Sequence, residues 1–474
     1  MPPATPAMLP WLQKTPRFPH RGLMLDISRN RVPTMDCLRK LVDALAALHY
    51  NQLQLYTEHT FAYADHATVW RDASPMTSAE VCELDAYCAA RSIELVPNQN
   101  SFGHMERWLR HPEYQHLAEC PHGFEHPLAG WRNFGSTLFP DATSAHFVEQ
   151  LYAELLPNFR SRQLHVGGDE PWELGKGRSA DRVADQGKHT VYLDFMRQVF
   201  AAAARQGHQA QFWADIILER PDLVPQLPDD VIPVIWGYEA DAPFANQCRC
   251  LAEAGFRHQF YVAPGAGNWN SFSGRLDVAR ANIHLAAEQG AAHGASGLLL
   301  TAWGDNGHHQ PWATLYPPLV LAAAEAHGQS IDTATLATII DTLFFPDQPP
   351  GNGAALCQLG QIDAHLPQPA PPNSFLHSAF FADPAARDKL VATTTPNALE
   401  RCLHALSAIE TRGLDAEIAL AIQLNRSALE ACLHRPPTKP IAEIKDNFTR
   451  QWHRHSRPGG LAQSLAQFPE TFDV

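Results

Sequence analysis

Apolar residues along this chain follow two alternating patterns from about residue 21 to residue 328. Short runs typical of buried strands occur eight times, at 23–28, 52–57, 93–97, 163–166, 210–213, 232–236, 259–263 and 298–303. Segments with apolar residues at helical spacing lie between most of them, at 34–48, 78–91, 188–206, 275–289 and 312–327. Eight strands that alternate with helices predict an α/β fold, a (β/α)8 TIM barrel.

A doubly wound sheet is the structural alternative to the barrel. It is disfavoured because no Gly-x-Gly-x-x-Gly motif follows the first strand and because the strand count reaches eight. The interval 98–162 between the third and fourth strands is long. It predicts a helix and a sizeable loop excursion over the barrel mouth.

After Gly328 the strand pattern ends and helical stretches remain at 333–343, 397–411 and 414–434, with an irregular Pro-rich connector at 366–373. We therefore expect an N-terminal arm (1–20), a catalytic barrel (21–328) and a helical C-terminal appendage (329–474). Apolar side chains recur at helical spacing in this appendage, at Leu399, Leu403, Leu406, Leu414, Ile418 and Ile422. An apolar helix face of this kind suits packing on the barrel. Any apolar helix face that the barrel does not cover would suit a homodimer contact.

Composition narrows the classes of function. With 474 residues, of which 45% are apolar and 18% charged, the chain can bury a large core. The net charge of -14 argues against nucleic acid and anionic membranes as partners, and no run approaches the ~18 apolar residues of a membrane helix. Nine irregularly spaced cysteines fit reduced thiols in the cytoplasm. Residues 1–20 lack an apolar core, so the sequence predicts no signal peptide.

The 25 histidines are mostly scattered along the chain. The sequence contains neither a His-Glu-x-x-His motif nor a Cys-x-x-Cys motif. The sequence therefore predicts no metal and no other cofactor.

The segment His165-Val166-Gly167-Gly168-Asp169-Glu170 ends the fourth predicted strand. A cleft that holds both carboxylates must separate their pKa values, so that one is a proton donor while the other stays anionic. Adjacent side chains of a strand face opposite ways, so the backbone must bend at the glycines to bring both into one site. A solvated acidic turn is the alternative interpretation.

Barrel enzymes place their active sites at the C-terminal ends of the strands. Aromatic, carboxylate and amide side chains near those ends are typical of a sugar site, because rings stack on the pyranose and polar groups bind its hydroxyls. The candidate substrate-binding residues are Arg21, His104, Trp213, Trp236, Tyr238, Trp269, Trp303 and Asp305. Any one of these tryptophans alone could be core packing, and Arg21 could be a surface cation.

These residues resemble those of the family 20 glycoside hydrolases, the β-N-acetylhexosaminidases, and of the compact intracellular members in particular. The matching motifs span about residues 21–310: Arg21 through Asp26, Phe102-Gly103-His104, His165 through Glu170, Trp213-Ala214-Asp215 and Trp303-Gly304-Asp305. The chain departs from the family at two places. It has Asn268-Trp269-Asn270 where a Tyr-x-Asp element is usual, and its second strand ends in Glu58-His59 where better-known members have a His-x-x-Asp-Asp element.

The resemblance implies substrate-assisted retaining hydrolysis, in which the acetamido oxygen of the sugar attacks the anomeric carbon. Asp169 would then stabilise the acetamido group, Glu170 would be the general acid/base, and Arg21 would bind substrate hydroxyls. The expected function is an exo-β-N-acetylhexosaminidase acting on a small-molecule or oligosaccharide substrate. The alternatives are a sugar-binding barrel without catalysis, and a metal-dependent hydrolase using His104, His165 and a carboxylate.

Overall fold

The computed structural model describes residues 9–127, 130–364 and 366–472. The first eight residues of the expected N-terminal arm lie outside this range. The rest of the arm packs against the barrel, with Trp11, Leu12 and Phe18 buried.

Ten strands occur in the described residues: β1 (His20–Asp26), β2 (Gln52–Tyr56), β3 (Glu94–Val96), β4 (Phe124–His126), β5 (Gly130–Arg132), β6 (Gln163–His165), β7 (Gln209–Trp213), β8 (Ile232–Gly237), β9 (Tyr261–Pro264) and β10 (Gly297–Ala302). Eight of them form one parallel sheet in the order β3-β2-β1-β10-β9-β8-β7-β6. A parallel bridge between Asn98 and His165 joins the two ends of this sheet. The predicted (β/α)8 barrel is therefore confirmed.

The helices associated with the barrel are α1 (Met35–Ala47), α2 (Ala67–Trp70), α3 (Ser78–Ala89), α4 (Glu106–Leu109), α5 (Ala142–Leu155), α6 (Ala180–Gln186), α7 (Lys188–Arg205), α8 (Asp215–Leu218), α9 (Phe244–Leu251), α10 (Leu276–His293) and α11 (Tyr316–Ala326). Helix α1 illustrates why they form. Thr34 caps its first turn by accepting a hydrogen bond from the Cys37 amide, and Leu38, Leu41 and Leu45 form its buried face.

Side chains alternate across the strands and so build two apolar layers. On β1, Leu23 and Leu25 face the helices, whereas Met24 joins the barrel interior. The predicted excursion between β3 and β6 contains α4, the β4–β5 hairpin and α5. This excursion carries His104 to the barrel mouth.

The C-terminal region contains α12 (Thr333–Phe344), α13 (Asn352–Leu359), α14 (Phe375–Phe381), α15 (Pro384–Val391), α16 (Pro396–Ser407), α17 (Ala416–Cys432), α18 (Ile441–His455) and α19 (Leu461–Leu465). It packs on the barrel through buried contacts: the Arg31 guanidinium lies 4.5 Å from the Trp452 ring centroid. Leu399, Leu406, Ile418 and Ile422 are buried within the chain itself. No helix among the described residues is long and apolar enough to cross a membrane.

Candidate active site

A cleft of about 980 Å³ opens at the C-terminal ends of the barrel strands. It is lined by Arg29, Tyr56, His104, Asp169, Glu170, Trp236, Tyr238, Glu239, Trp269, Trp303, Asp305, Pro371 and Pro372. The structure thus brings together every predicted site residue except Arg21 and Trp213. The last two lining residues come from the irregular connector of the C-terminal region.

The backbone bends sharply after β6, as the sequence predicted. Gly167 and Gly168 have φ angles of 73° and 99°, and Glu170 has a φ of 46°. A Cβ atom at Gly167 would lie 2.4 Å from Asn100 Oδ1, and one at Gly168 would lie 2.7 Å from Met196 Cε. The positive φ angles favour glycine at both positions, and this turn delivers both carboxylates to the cleft.

His104 joins the two carboxylates. Its Nε2 atom lies 3.1 Å from Asp169 Oδ2 and 3.6 Å from Glu170 Oε2. Burial would lower the pKa of His104, but the Asp169 carboxylate outweighs burial and raises this pKa to about 10. His104 is therefore a cation at neutral pH, placed against both acids.

The two carboxyl groups differ in their preference for a proton. Burial would raise the pKa of Asp169, yet the charge and hydrogen bond of His104 lower it overall. Burial raises the pKa of Glu170, with His104 opposing this shift and Asp169 adding to it. Asp169 Oδ1 is buried without a hydrogen-bond partner. The site thus holds a fixed anion with one free oxygen beside a carboxyl group that tends to keep its proton.

Asp215 is a further acid near this pair. Burial, followed by the charges of Asp169 and Glu170, raises its pKa to about 8. Asp215 therefore tends to keep its proton, which limits the negative charge around the two carboxyl groups.

Arg29 is a second cation of the cleft, and sequence reasoning missed it. Its guanidinium lies 3.2 Å from both Asp26 Oδ2 and Glu58 Oε1, and 4.5 Å from the Tyr56 ring centroid. Asp26 also accepts a hydrogen bond from the Gly304 amide at 2.8 Å. The ends of β1 and β10 therefore hold Arg29 in place.

The structure places Arg21, a predicted substrate-binding residue, away from the cleft. Arg21 lies near the N-terminal end of β1, and its side chain donates to the carbonyls of Phe18, Pro19 and His49. The cleft lies at the opposite end of the strand. The signal that would have found Arg29 is its place just beyond the C-terminal end of β1, where a barrel keeps its site.

Aromatic rings form one wall of the cleft. The rings of Trp236 and Tyr238 stack with centroids 5.0 Å apart, and Trp269 meets Tyr238 edge-on at 5.1 Å. Trp213 is only 1% exposed and packs 4.4 Å from His165 and 6.0 Å from Trp303, measured between ring centroids. It therefore supports the wall from within the barrel and does not line the cleft.

Glu239 was also missed by sequence reasoning. Its Oε2 atom accepts a hydrogen bond from Arg275 Nη1 at 3.0 Å, while Oε1 is buried without a hydrogen-bond partner. The carboxylate is thus held on one side by an arginine and can accept a hydrogen bond on the other. A substrate hydroxyl is a suitable donor for that oxygen.

One group in the described part of the chain has metal-ligand geometry. Ligand atoms of His104, Asp169 and Glu170 lie within 4.8 Å of one another. Three such ligands could hold a divalent cation. His165, the other histidine of the metal-dependent alternative, does not line the cleft. The pKa of His165 is lowered to about 3, mainly by burial.

Paired carboxyl groups beside an aromatic wall, at the mouth of a (β/α)8 barrel, are typical of glycoside hydrolases. Residues 18–258 match the model of the glycosyl hydrolase family 20 catalytic domain. The chain belongs to glycosyl hydrolase family 20.

Similar proteins agree with this assignment. Human hexosaminidase D is 25% identical over 325 residues, which cover 63% of each chain. A β-hexosaminidase of Akkermansia muciniphila is 28% identical over 223 residues, covering 42% of this chain and 45% of the relative. The chain therefore spans less than two thirds of the length of either relative.

Solved structures resemble the fold. The β-N-acetylhexosaminidase of Bacteroides fragilis superposes with a TM-score of 0.53 at 19% identity, covering 70% of this chain and 71% of that one. Flavobacterium johnsoniae chitobiase gives 0.52 at 17% identity, covering 95% of this chain and 78% of that one.

Proposed function

We propose that this chain is an exo-β-N-acetylhexosaminidase that works by substrate assistance. The observation that carries the proposal is the pairing of Asp169, kept anionic by His104 and with Oδ1 free, with Glu170, whose pKa is raised. The aromatic wall offers apolar faces for a pyranose ring.

The reaction would proceed in two steps. The Glu170 carboxyl group gives its proton to the glycosidic oxygen while the C1–O bond breaks, and the acetamido oxygen forms a bond to C1. Asp169 stabilises the positive oxazolinium through the acetamido N–H. Glu170, now anionic, then takes a proton from the water that attacks C1, which opens the ring and restores both groups.

Paired substrates test this proposal. We expect hydrolysis of nitrophenyl β-N-acetylglucosaminide or β-N-acetylgalactosaminide, and no hydrolysis of nitrophenyl β-glucoside, because the latter lacks the acetamido nucleophile. A thiazoline analogue of the cyclised intermediate should inhibit strongly. Equal turnover of the glucoside, or failure of the thiazoline to bind, would contradict substrate assistance.

A metal-dependent hydrolase is the second candidate function, favoured by the spacing of His104, Asp169 and Glu170. The two candidates differ in their response to chelation. Activity that survives exhaustive dialysis against EDTA supports the proposed function, and loss of activity that Zn²⁺ restores supports the alternative.

We further propose residues 21–328 as the catalytic barrel between the arm 1–20 and the helical region 329–474.

All nine cysteines, each within the described part of the chain, are free thiols, which supports a cytoplasmic location. We also propose a homodimer through the apolar surface that the C-terminal helices leave uncovered, which includes the half-buried Leu403 and Leu414. Light scattering tests it, since a mass equal to that of one 52.5 kDa chain would eliminate the dimer.

A further inference from the structure

A second cavity, of about 500 Å³, lies at the same end of the barrel and shares no lining residue with the catalytic cleft. Its walls come from the loops after β1 and β2, from α2 and the residues that follow it, from α4, and from the beginning of α19. Ser28 and Asn30 line it on either side of Arg29 in the sequence, while Arg29 itself lines the catalytic cleft.

The cavity is basic, although the chain as a whole carries a net charge of -14. Arg107 donates to neutral amide oxygens, Asn30 Oδ1 at 3.1 Å and Gln463 Oε1 at 3.2 Å. Arg110 has its Nε atom 3.5 Å from His111 Nε2. Across the described residues, neither arginine has a carboxylate within ion-pair distance. Asp72, which is exposed, is the one carboxylate among the lining residues.

Burial and the positive charges in the cavity both lower the pKa of one of its arginines, Arg110. Burial lowers the pKa of Arg110, and the neighbouring Arg107 lowers it further against the opposing charges of Glu106 and Asp72. Two arginines one helical turn apart without carboxylate partners repel each other. An anion between them would remove that repulsion.

His59 adds an independent observation. It lines the cavity, is only 4% exposed, and has its Nδ1 atom buried without a hydrogen-bond partner. Burial, followed by the charges of Arg107 and Arg110, holds the pKa of His59 well below 6.5, so the ring is neutral. A neutral imidazole with a proton on Nδ1 can donate one hydrogen bond there. With its proton on Nδ1, His59 would have no acceptor for that proton in the described part of the chain.

We propose that this cavity binds a small oxyanion of the phosphate class through Arg107 and Arg110, with His59 Nδ1 as a third donor. Guanidinium groups match phosphate oxygens in both geometry and charge. Free phosphate and a phosphate monoester share this chemistry. The bound anion would join α4 to the loops after β1 and β2 and to Gly460 and Gln463 of the C-terminal region. It has no part in the glycosidase mechanism, so the two proposals can fail separately.

Thermal unfolding of the full chain tests the proposal. Tm is measured while sodium phosphate or glucose 6-phosphate is added at constant ionic strength, with sodium chloride as the balancing salt. We expect Tm to rise and saturate in the wild type, because a ligand that binds only the native state stabilises it. Saturation by glucose 6-phosphate alone identifies a monoester site, and saturation by both identifies a free-oxyanion site. Either result supports the proposal.

Variants locate the effect. R107Q/R110Q should raise the apparent dissociation constant at least tenfold. R205Q/R435Q removes two exposed arginines that pair with Glu149 and Glu400, and it should leave the titration unchanged. R110Q alone leaves the contacts of Arg107 with Asn30 and Gln463 intact, so it reports binding if the double variant fails to fold. A rise in Tm without saturation, or one equal in wild type and R110Q, would overturn the proposal.

Discussion

Asp169 and Glu170 are neighbours in the chain, yet their surroundings shift their pKa values in opposite directions. His104 touches both, but it lies nearer to Asp169, with Nε2 3.1 Å from Asp169 Oδ2 and 3.6 Å from Glu170 Oε2. The pKa of Asp169 is therefore lowered while that of Glu170 is raised. A third residue thus assigns the roles within one dipeptide, and Asp169 is expected to stay anionic when Glu170 is protonated.

Glu170→Gln tests the proton donor, because the amide keeps the shape of the side chain but cannot give its proton to the leaving oxygen. We expect kcat on substrates with poor leaving groups to fall by about 10²–10⁴-fold. Activated nitrophenyl substrates should lose less, since their leaving group needs little protonation. Equal losses on both kinds of substrate would contradict the assignment.

His104→Gln tests the control of Asp169. Removing the cation takes away the largest effect that opposes burial and leaves only a backbone hydrogen bond and the charge of Arg29, so the pKa of Asp169 should rise. Because the proposed mechanism needs Asp169 ionised, the acidic limb of the kcat/KM profile should move to higher pH. His116→Gln, an exposed histidine, is the control. An acidic limb at the same pH in both variants would rule out this role for His104.

Arg29→Lys and Arg21→Lys form a matched pair at the two ends of β1. Arg29 borders the cleft and contacts two carboxylates and an aromatic ring, so the lysine should lower kcat/KM by about 10–100-fold. Arg21 contacts backbone carbonyls at the far end, and its variant should keep kcat/KM near the wild-type value. The opposite order of effects would support Arg21 as the substrate contact.

At the scale of elements, the turn after β6 carries the site. Gly168→Ala places a Cβ 2.7 Å from Met196 Cε at a φ of 99°, which should cost about 1–3 kcal/mol and displace the carboxylates. Gly187 also has a positive φ (84°), but a Cβ there would meet nothing within 4 Å. We expect both alanine variants to lose stability in urea unfolding, and only G168A to lose most of its kcat. Full activity in G168A would contradict the role of this turn.

Most elements could be predicted from the sequence because each has a local signature. Alternation of apolar residues located the eight barrel strands, and the glycines before Asp169 indicated the bend. Arg21 lies outside the cleft because the motif begins at the N-terminal end of β1, whereas the cleft is lined by residues near the C-terminal ends of the strands. Pro371 and Pro372 could not be predicted, because they are brought to the cleft by the packing of helices distant in sequence from β6.

At the scale of the whole molecule, the C-terminal region packs on the barrel and contributes to the cleft. It supplies Pro371 and Pro372 to the cleft, and Arg457 pairs with Glu80 of α3 at 2.9 Å. Arg31, which follows β1, also contacts the C-terminal region. Its guanidinium lies 4.5 Å from the centroid of the Trp452 ring. The barrel and the C-terminal region are therefore expected to unfold together.

Trp452→Ala tests this coupling. Trp452 is fully buried on α18, so its truncation should destabilise the chain by about 3–5 kcal/mol. If the two parts unfold together, loss of activity and loss of circular dichroism should keep the same urea midpoint in W452A, shifted below that of the wild type. Trp131→Ala is the control, because Trp131 is 61% exposed on β5 and its loss should leave the midpoint unchanged. Activity that persists in W452A after its helical signal has partly melted would mean that the barrel folds independently of the C-terminal region.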